Sequence, residues 1–160
     1  MGNQVYVVSC ADYAGAEAAL RQAIAAMGGM DRFVRPGERI LLKANLLRPS
    51  PPEAAVCTHP AVLGAIAGMV REAGGSALIA DSPGGALQKE SVLRNLYEKT
   101  GAAQAARASG GEVCLDPSAR LVELPEGKVL RQAEIISPAL DCDGIFDLCK
   151  MKTHVFMGMT

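Results

Sequence analysis

Four short polar groups in this sequence hold residues suited to chemistry: Lys43-Ala44-Asn45, Thr58-His59-Pro60, Asp81-Ser82-Pro83-Gly84-Gly85 and Lys150-Met151-Lys152-Thr153-His154. Ammonium groups attract negative charge, amide and hydroxyl side chains orient it, and glycines let backbone N–H groups approach it closely. An imidazole exchanges protons near neutral pH, and both histidines of the chain fall within these groups. The chemistry predicted is capture of a small anion, a phosphate or a carboxylate. Lys43, Lys150 and Lys152 would supply charge. Asn45, Thr58, Asp81, Ser82, Thr153 and the Gly84 and Gly85 backbone would supply orientation, and His59 or His154 would be the proton-transfer group. Lys150 and Lys152 share one side of an extended segment, where they repel each other unless an anion neutralises them.

Each group also has a plainer reading. Asp81 or Ser82 can cap backbone donors at a strand-to-helix turn, and Thr58-His59 can cap a helix. Lys43 can reach solvent from a strand end, Asn45 can be a turn residue, and the last group can be a solvated basic turn. Neither a GxxxxGK[ST] loop nor a GxGxxG fingerprint is present. A metal set of His59, His154, Asp81 and Cys57 is conceivable, but no spacing demands it, so no metal ligand is assigned.

The elements that must position these residues follow from periodicity. Gln4–Ser9 predicts a strand, and residues 14–27 a helix with Ala16, Leu20, Ala23, Ile24 and Met27 at helical spacing. Arg39–Lys43, Ser76–Asp81 and Gly144–Cys149 are short apolar runs, as expected of strands covered on both faces. Pro60 is suited to the first position of a helix whose apolar face is Val62, Leu63, Ile66, Met69, Val70 and Ala73. Helices bearing Val92, Leu93, Leu96 and Tyr97, and over Ala102–Ala108, precede a strand at Glu112–Asp116 and a hairpin, Arg120–Leu124 with Lys128–Ile136. Alternating strands and helices predict an α/β fold: a largely parallel open sheet, helices on both faces, and a short antiparallel patch. In such a sheet ligands bind beyond the carboxyl ends of the strands, where all four polar groups fall.

The 160 residues suit one domain, spanning residues 1–160. Lys and Arg total 16 against 17 Asp and Glu, so no overall basic field attracts nucleic acid or acidic membranes. Aromatics are only 4% and Trp is absent, which disfavours base-stacking platforms. No apolar run approaches a membrane span and no secretory signal is visible, so the expected location is cytoplasmic. The five cysteines (Cys10, Cys57, Cys114, Cys142, Cys149) form no CxxC pair and read as reduced.

Taken in order, Lys43-Ala44-Asn45-Leu46-Leu47, Thr58-His59-Pro60, Asp81-Ser82-Pro83-Gly84-Gly85, Lys150-Met151-Lys152-Thr153-His154 and the closing Met159-Thr160 resemble the domain-of-unknown-function 362 family, often labelled iron–sulfur cluster-binding proteins. The resemblance covers the chain from about Glu38 onward. It departs mildly from the family pattern at Ala44, Cys57, Ala80 and Cys149. It implies an α/β domain often joined to ferredoxin-like modules with [4Fe-4S] clusters, and a chain that is the N-terminal part of a longer family domain. Cluster ligands are not visible in this chain, so its cofactor is left unassigned.

Three functions follow as expectations. The first is a redox-associated domain that binds an anionic small molecule at the strand ends. The second is a non-catalytic docking module for an iron–sulfur electron-transfer partner or ferredoxin-like protein. The third is an inactive fragment whose exposed edge favours a homodimer.

Overall fold

Strand β1 (Arg39–Ala44) is the spine, and a computed structural model describes it within residues 4–82 and 89–159. Ile40, Leu41, Leu42 and Ala44 are all buried, because side chains on both faces of β1 meet packed layers. β2 (Ser76–Ala80) pairs parallel to one edge of β1, with Leu42 opposite Ile79 and Lys43 opposite Ala80. β6 (Gly144–Leu148) pairs parallel to the other edge, with Lys43 opposite Asp147 and Ala44 opposite Leu148. The short β3 (Glu112–Val113) adds to β2, giving a four-stranded parallel sheet in the order β3-β2-β1-β6. β4 (Ala119–Glu123) and β5 (Gln132–Ile136) form a separate antiparallel hairpin, and β7 (Thr153–His154) and β8 (Gly158–Met159) form another. The expected α/β architecture, parallel sheet and antiparallel patch are therefore present.

Helix α2 (Pro60–Glu72) crosses from β1 to β2. Pro60 occupies its first position, where a missing N–H costs nothing. Leu63, Ile66, Ala67 and Val70 recur at helical spacing and are buried against the sheet layer that includes Ile40, Leu42 and Ile79. α1 (Ala16–Ala26) packs on α2, and Arg21 bridges the two helices through Glu72 at 2.6 Å. α3 (Glu90–Lys99) turns directly into α4 (Ala102–Ser109) at Gly101, whose φ of +78° suits glycine. A Cβ there would also lie 3.1 Å from the Pro60 ring. On the opposite face Leu41, Leu78 and Ala80 form a smaller cluster, covered by Ile136 and by Ala139 of the short α5 (Ser137–Leu140). Helices thus lie on both faces.

The predicted N-terminal strand is absent. Residues 4–10 pair with no strand among the described residues, and Val5 and Val7 are 86% and 91% exposed. An alternating β-prone sequence forms a strand only where an edge receives it. Other boundaries shift modestly: the strand expected over Glu112–Asp116 ends at Val113, and the second hairpin strand begins at Gln132 instead of Lys128.

Candidate functional site

Because β1, β2 and β6 run parallel, their carboxyl ends open on one edge of the sheet. At the end of β2, Asp81 turns its carboxylate back toward β1. One oxygen accepts the Leu46 N–H at 2.5 Å, and the other accepts the Ser82 N–H at 2.8 Å and meets Lys43 Nζ at 3.0 Å. The Asp81 side chain is 8% exposed and that of Lys43 35%. Lys43 also donates to the Ala44 carbonyl at 2.6 Å, so two of its three ammonium protons are committed. Asp81, expected as a ligand contact, is chiefly a clamp holding the ends of β1 and β2 together.

Thr58 ties in the third strand. Its hydroxyl donates to the Leu148 carbonyl at 2.6 Å and accepts the Asn45 N–H at 2.9 Å, while the Thr58 N–H donates to the Asn45 carbonyl at 2.9 Å. Both backbone groups of Asn45 are thereby fixed. Its side-chain Oδ1 is buried and has no hydrogen-bond partner among the described residues. A buried acceptor left unmet costs about 1–3 kcal/mol, which marks this atom for attention.

His59 caps α2 through Nδ1, which accepts the Ala61 N–H at 3.2 Å. The capping interpretation of Thr58-His59 is thus correct in its geometry, and it leaves Nε2 to carry the proton of the neutral ring. The ring stacks on Tyr13 with centroids 3.6 Å apart, and the Tyr13 hydroxyl accepts from Lys150 Nζ at 2.9 Å. Burial, then the positive charge of Lys150, holds the His59 pKa below its ordinary value, with Glu53 opposing. A depressed histidine pKa means the unfolded chain binds the proton more readily. His59 therefore withdraws stability as pH falls from the ordinary range near 6.5 toward its folded value. An NMR titration should place the His59 midpoint below 6.5; a midpoint at or above it would refute this electrostatic account.

Beyond β6 the alternation expected for the last group holds. Lys150, Lys152 and His154 are half-buried while Met151, Thr153 and Val155 are exposed. Lys152 makes no hydrogen bond or ion pair among the described residues. His154 Nδ1 accepts the N–H groups of Phe156 and Met157 at 3.2 and 3.1 Å, inside its own hairpin. No hydrogen bond or ion pair among the described residues joins Lys152, Thr153 or His154 to the Lys43–Asp81 pair. Gly84 and Gly85 lie outside the described residues.

Two contributors were not anticipated. Tyr13 falls between the predicted strand and the predicted helix, and nothing in its sequence neighbourhood marks it. Tyr97 was assigned to an apolar helix face; it is buried in the core, yet its hydroxyl has no hydrogen-bond partner among the described residues. Burial pushes its pKa well above the ordinary phenol value, with the nearby Asp81 main chain opposing. A groove of about 550 Å³ beside Tyr13 is lined by Cys10, Ala16, Leu20, Ala23 and Val62. Its wall is mainly apolar and it lacks lysine and histidine, so the polar strand-end cluster remains the candidate.

The cysteines do not fit an iron–sulfur cluster, which takes four converging thiolates. Cys57, Cys114 and Cys142 each direct sulfur at a different backbone carbonyl, those of Arg48, Asp116 and Ala139. Among the described residues no three His, Cys, Asp or Glu side chains are grouped to hold a metal ion.

Fold and site together define a parallel α/β domain with a polar, lysine-bearing cluster at the strand ends. Residues 40–160 match the family described as domain of unknown function (DUF362), and the chain belongs to that family. It is 34% identical over 149 residues to a thylakoid-associated protein of Synechocystis sp., a match covering 89% of this chain and 42% of that protein. The chain thus spans less than half the length of this curated relative. No solved structure matches it. The sequence pointed to the cytoplasm, whereas the relative's name places that protein with thylakoids; no helix among the described residues is long and apolar enough to cross a membrane.

Proposed function

We propose that this domain binds an anionic small molecule, through a phosphate or carboxylate group, at the carboxyl ends of β1, β2 and β6. The observation that carries the reading is Lys152, a half-buried lysine whose ammonium has no hydrogen-bond or ion-pair partner among the described residues, in the segment that continues β6 past Lys150. A partly covered cation without a counter-charge is costly unless something negative meets it. Lys150 on the adjoining strand end adds positive charge at the same edge, and Lys43, paired with Asp81, keeps one ammonium proton uncommitted. Asn45, Thr58, Ser82 and Thr153 would orient the ligand, together with the Gly84 and Gly85 backbone. Asp81 serves the site by holding Lys43 in place.

The histidines act in this reading as donors. Each Nδ1 already accepts backbone N–H groups, so a neutral His59 or His154 presents Nε2–H. That suits hydrogen bonding to an anion and disfavours either ring as a base in its neutral form. An iron–sulfur role is not part of the proposal, since the thiols do not converge.

Thermal unfolding with phosphate, pyrophosphate, malate or citrate provides the test. A ligand at about 100 times its Kd adds about 2.7 kcal/mol, which raises the Tm of a chain this long by about 5–10 °C. Lys152→Met should leave the unliganded Tm unchanged or slightly raised, because it breaks no hydrogen bond or ion pair among the described residues, and should weaken binding at least about tenfold, the cost of losing one charged hydrogen bond. Failure of every anion to shift the Tm beyond chloride at equal ionic strength would overturn the reading. So would unchanged binding by Lys152→Met.

A further inference from the structure

We infer that the anion bound at this edge also carries a hydroxyl close to its charged group, whose O–H Asn45 Oδ1 accepts. This rests on the binding function proposed above and narrows the ligand class from any small anion to hydroxy acids or sugar phosphates. Asn45 Oδ1 is an acceptor, buried and unmet among the described residues. An anion without a donor cannot satisfy it.

The neighbouring donors are committed elsewhere. Lys43 Nζ, two residues before Asn45, turns to the Ala44 carbonyl and to Asp81. The Thr58 hydroxyl donates to Leu148, and the Thr58 N–H donates to the Asn45 backbone carbonyl. The Leu46 and Ser82 N–H groups go to Asp81. The Asn45 backbone is held at both its N–H and its C=O, so the amide side chain starts from a fixed base. An acceptor fixed in this way discriminates, because a ligand lacking the donor buries it unmet. Asn45 directly follows Ala44, the last residue of β1, so it stands at the carboxyl end of the strand that carries Lys43. A ligand seated at that strand end would have the Lys43 cation and this acceptor two residues apart along the chain.

Matched pairs of ligands test the inference on the wild-type protein. Malate is compared with succinate, and glycerol 3-phosphate with n-propyl phosphate, by calorimetric titration. The hydroxylated member of at least one pair should bind about tenfold or more tightly than its partner, the worth of one buried hydrogen bond. Which pair shows the effect tells a hydroxy acid from a sugar phosphate. In Asn45→Leu the preference should collapse to near unity while the deoxy member still binds. Equal binding of both members in both pairs overturns this inference and leaves the anion site standing. Absence of binding by all four overturns the anion site itself and this inference with it. A preference that survives Asn45→Leu also overturns it, since the donor is then read elsewhere.

Discussion

Asp81→Ala is expected to cost about 3 kcal/mol of folding stability, a fall in Tm of about 6–12 °C for a chain of this length. Two losses add. The Leu46 N–H, on a residue that is itself buried, loses the acceptor it has among the described residues, and an unmet buried donor costs about 1–3 kcal/mol. Lys43 loses its counter-charge, but it is about a third exposed and can turn partly to water, so this contributes nearer 1 kcal/mol. The Ser82 N–H is exposed and its loss adds little. Asp81→Asn should cost less, because its amide oxygen can still accept from Leu46. Ligand binding should fall in both variants, since Lys43 is no longer held at the strand end. Chemical denaturation of the two variants decides the matter: an Asp81→Ala protein within about 0.5 kcal/mol of wild type would remove Asp81 from its role as clamp.

How much of this arrangement was legible in the sequence depends on the range of the interaction. The runs at Arg39–Lys43 and Ser76–Asp81 announced themselves because strands covered on both faces must be apolar throughout, whereas Gly144–Cys149, expected to be covered likewise, forms the edge strand β6 with Ile145 53% exposed and Asp147 exposed. Pro60 and the spacing of Leu63, Ile66 and Val70 announced α2 for equally local reasons. Topology then placed the ends of those strands on one edge, which is why Lys43, Asn45, Thr58 and Asp81 come together as expected. What was hidden is how they divide the work. Asp81 clamps Leu46 across 35 positions, and Tyr13 meets Lys150 across 137. No local pattern encodes such pairings, because they exist only once the sheet has formed. Gln4–Ser9 fails in the opposite direction: its local pattern is strand-like, and no strand edge among the described residues takes it up.

Thr58→Val should be nearly as damaging as Asp81→Ala, at about 2–4 kcal/mol, although the two side chains have almost the same shape. Thr58 is buried at 3% exposure, so a valine methyl would fit the space the hydroxyl leaves. Two backbone groups would then be stranded at once: the Asn45 N–H, which the hydroxyl accepts, and the Leu148 carbonyl, to which it donates. Isosteric removal of one partner exposes each of these to its full desolvation cost, about 1–3 kcal/mol. The remaining bond, Thr58 N–H to the Asn45 carbonyl, is main-chain and survives the change. Thr58→Ser keeps the hydroxyl and deletes a methyl, so it should cost only about 1 kcal/mol. That ordering separates a polar stitch from simple packing: if packing dominates, serine is the worse substitution and valine is tolerated. The same hydroxyl joins the end of β1 to the end of β6, so Thr58→Val should also loosen Asn45 and Lys150 relative to each other. Amide hydrogen exchange at residues 45–46 should quicken in the valine variant and remain near wild type in the serine one.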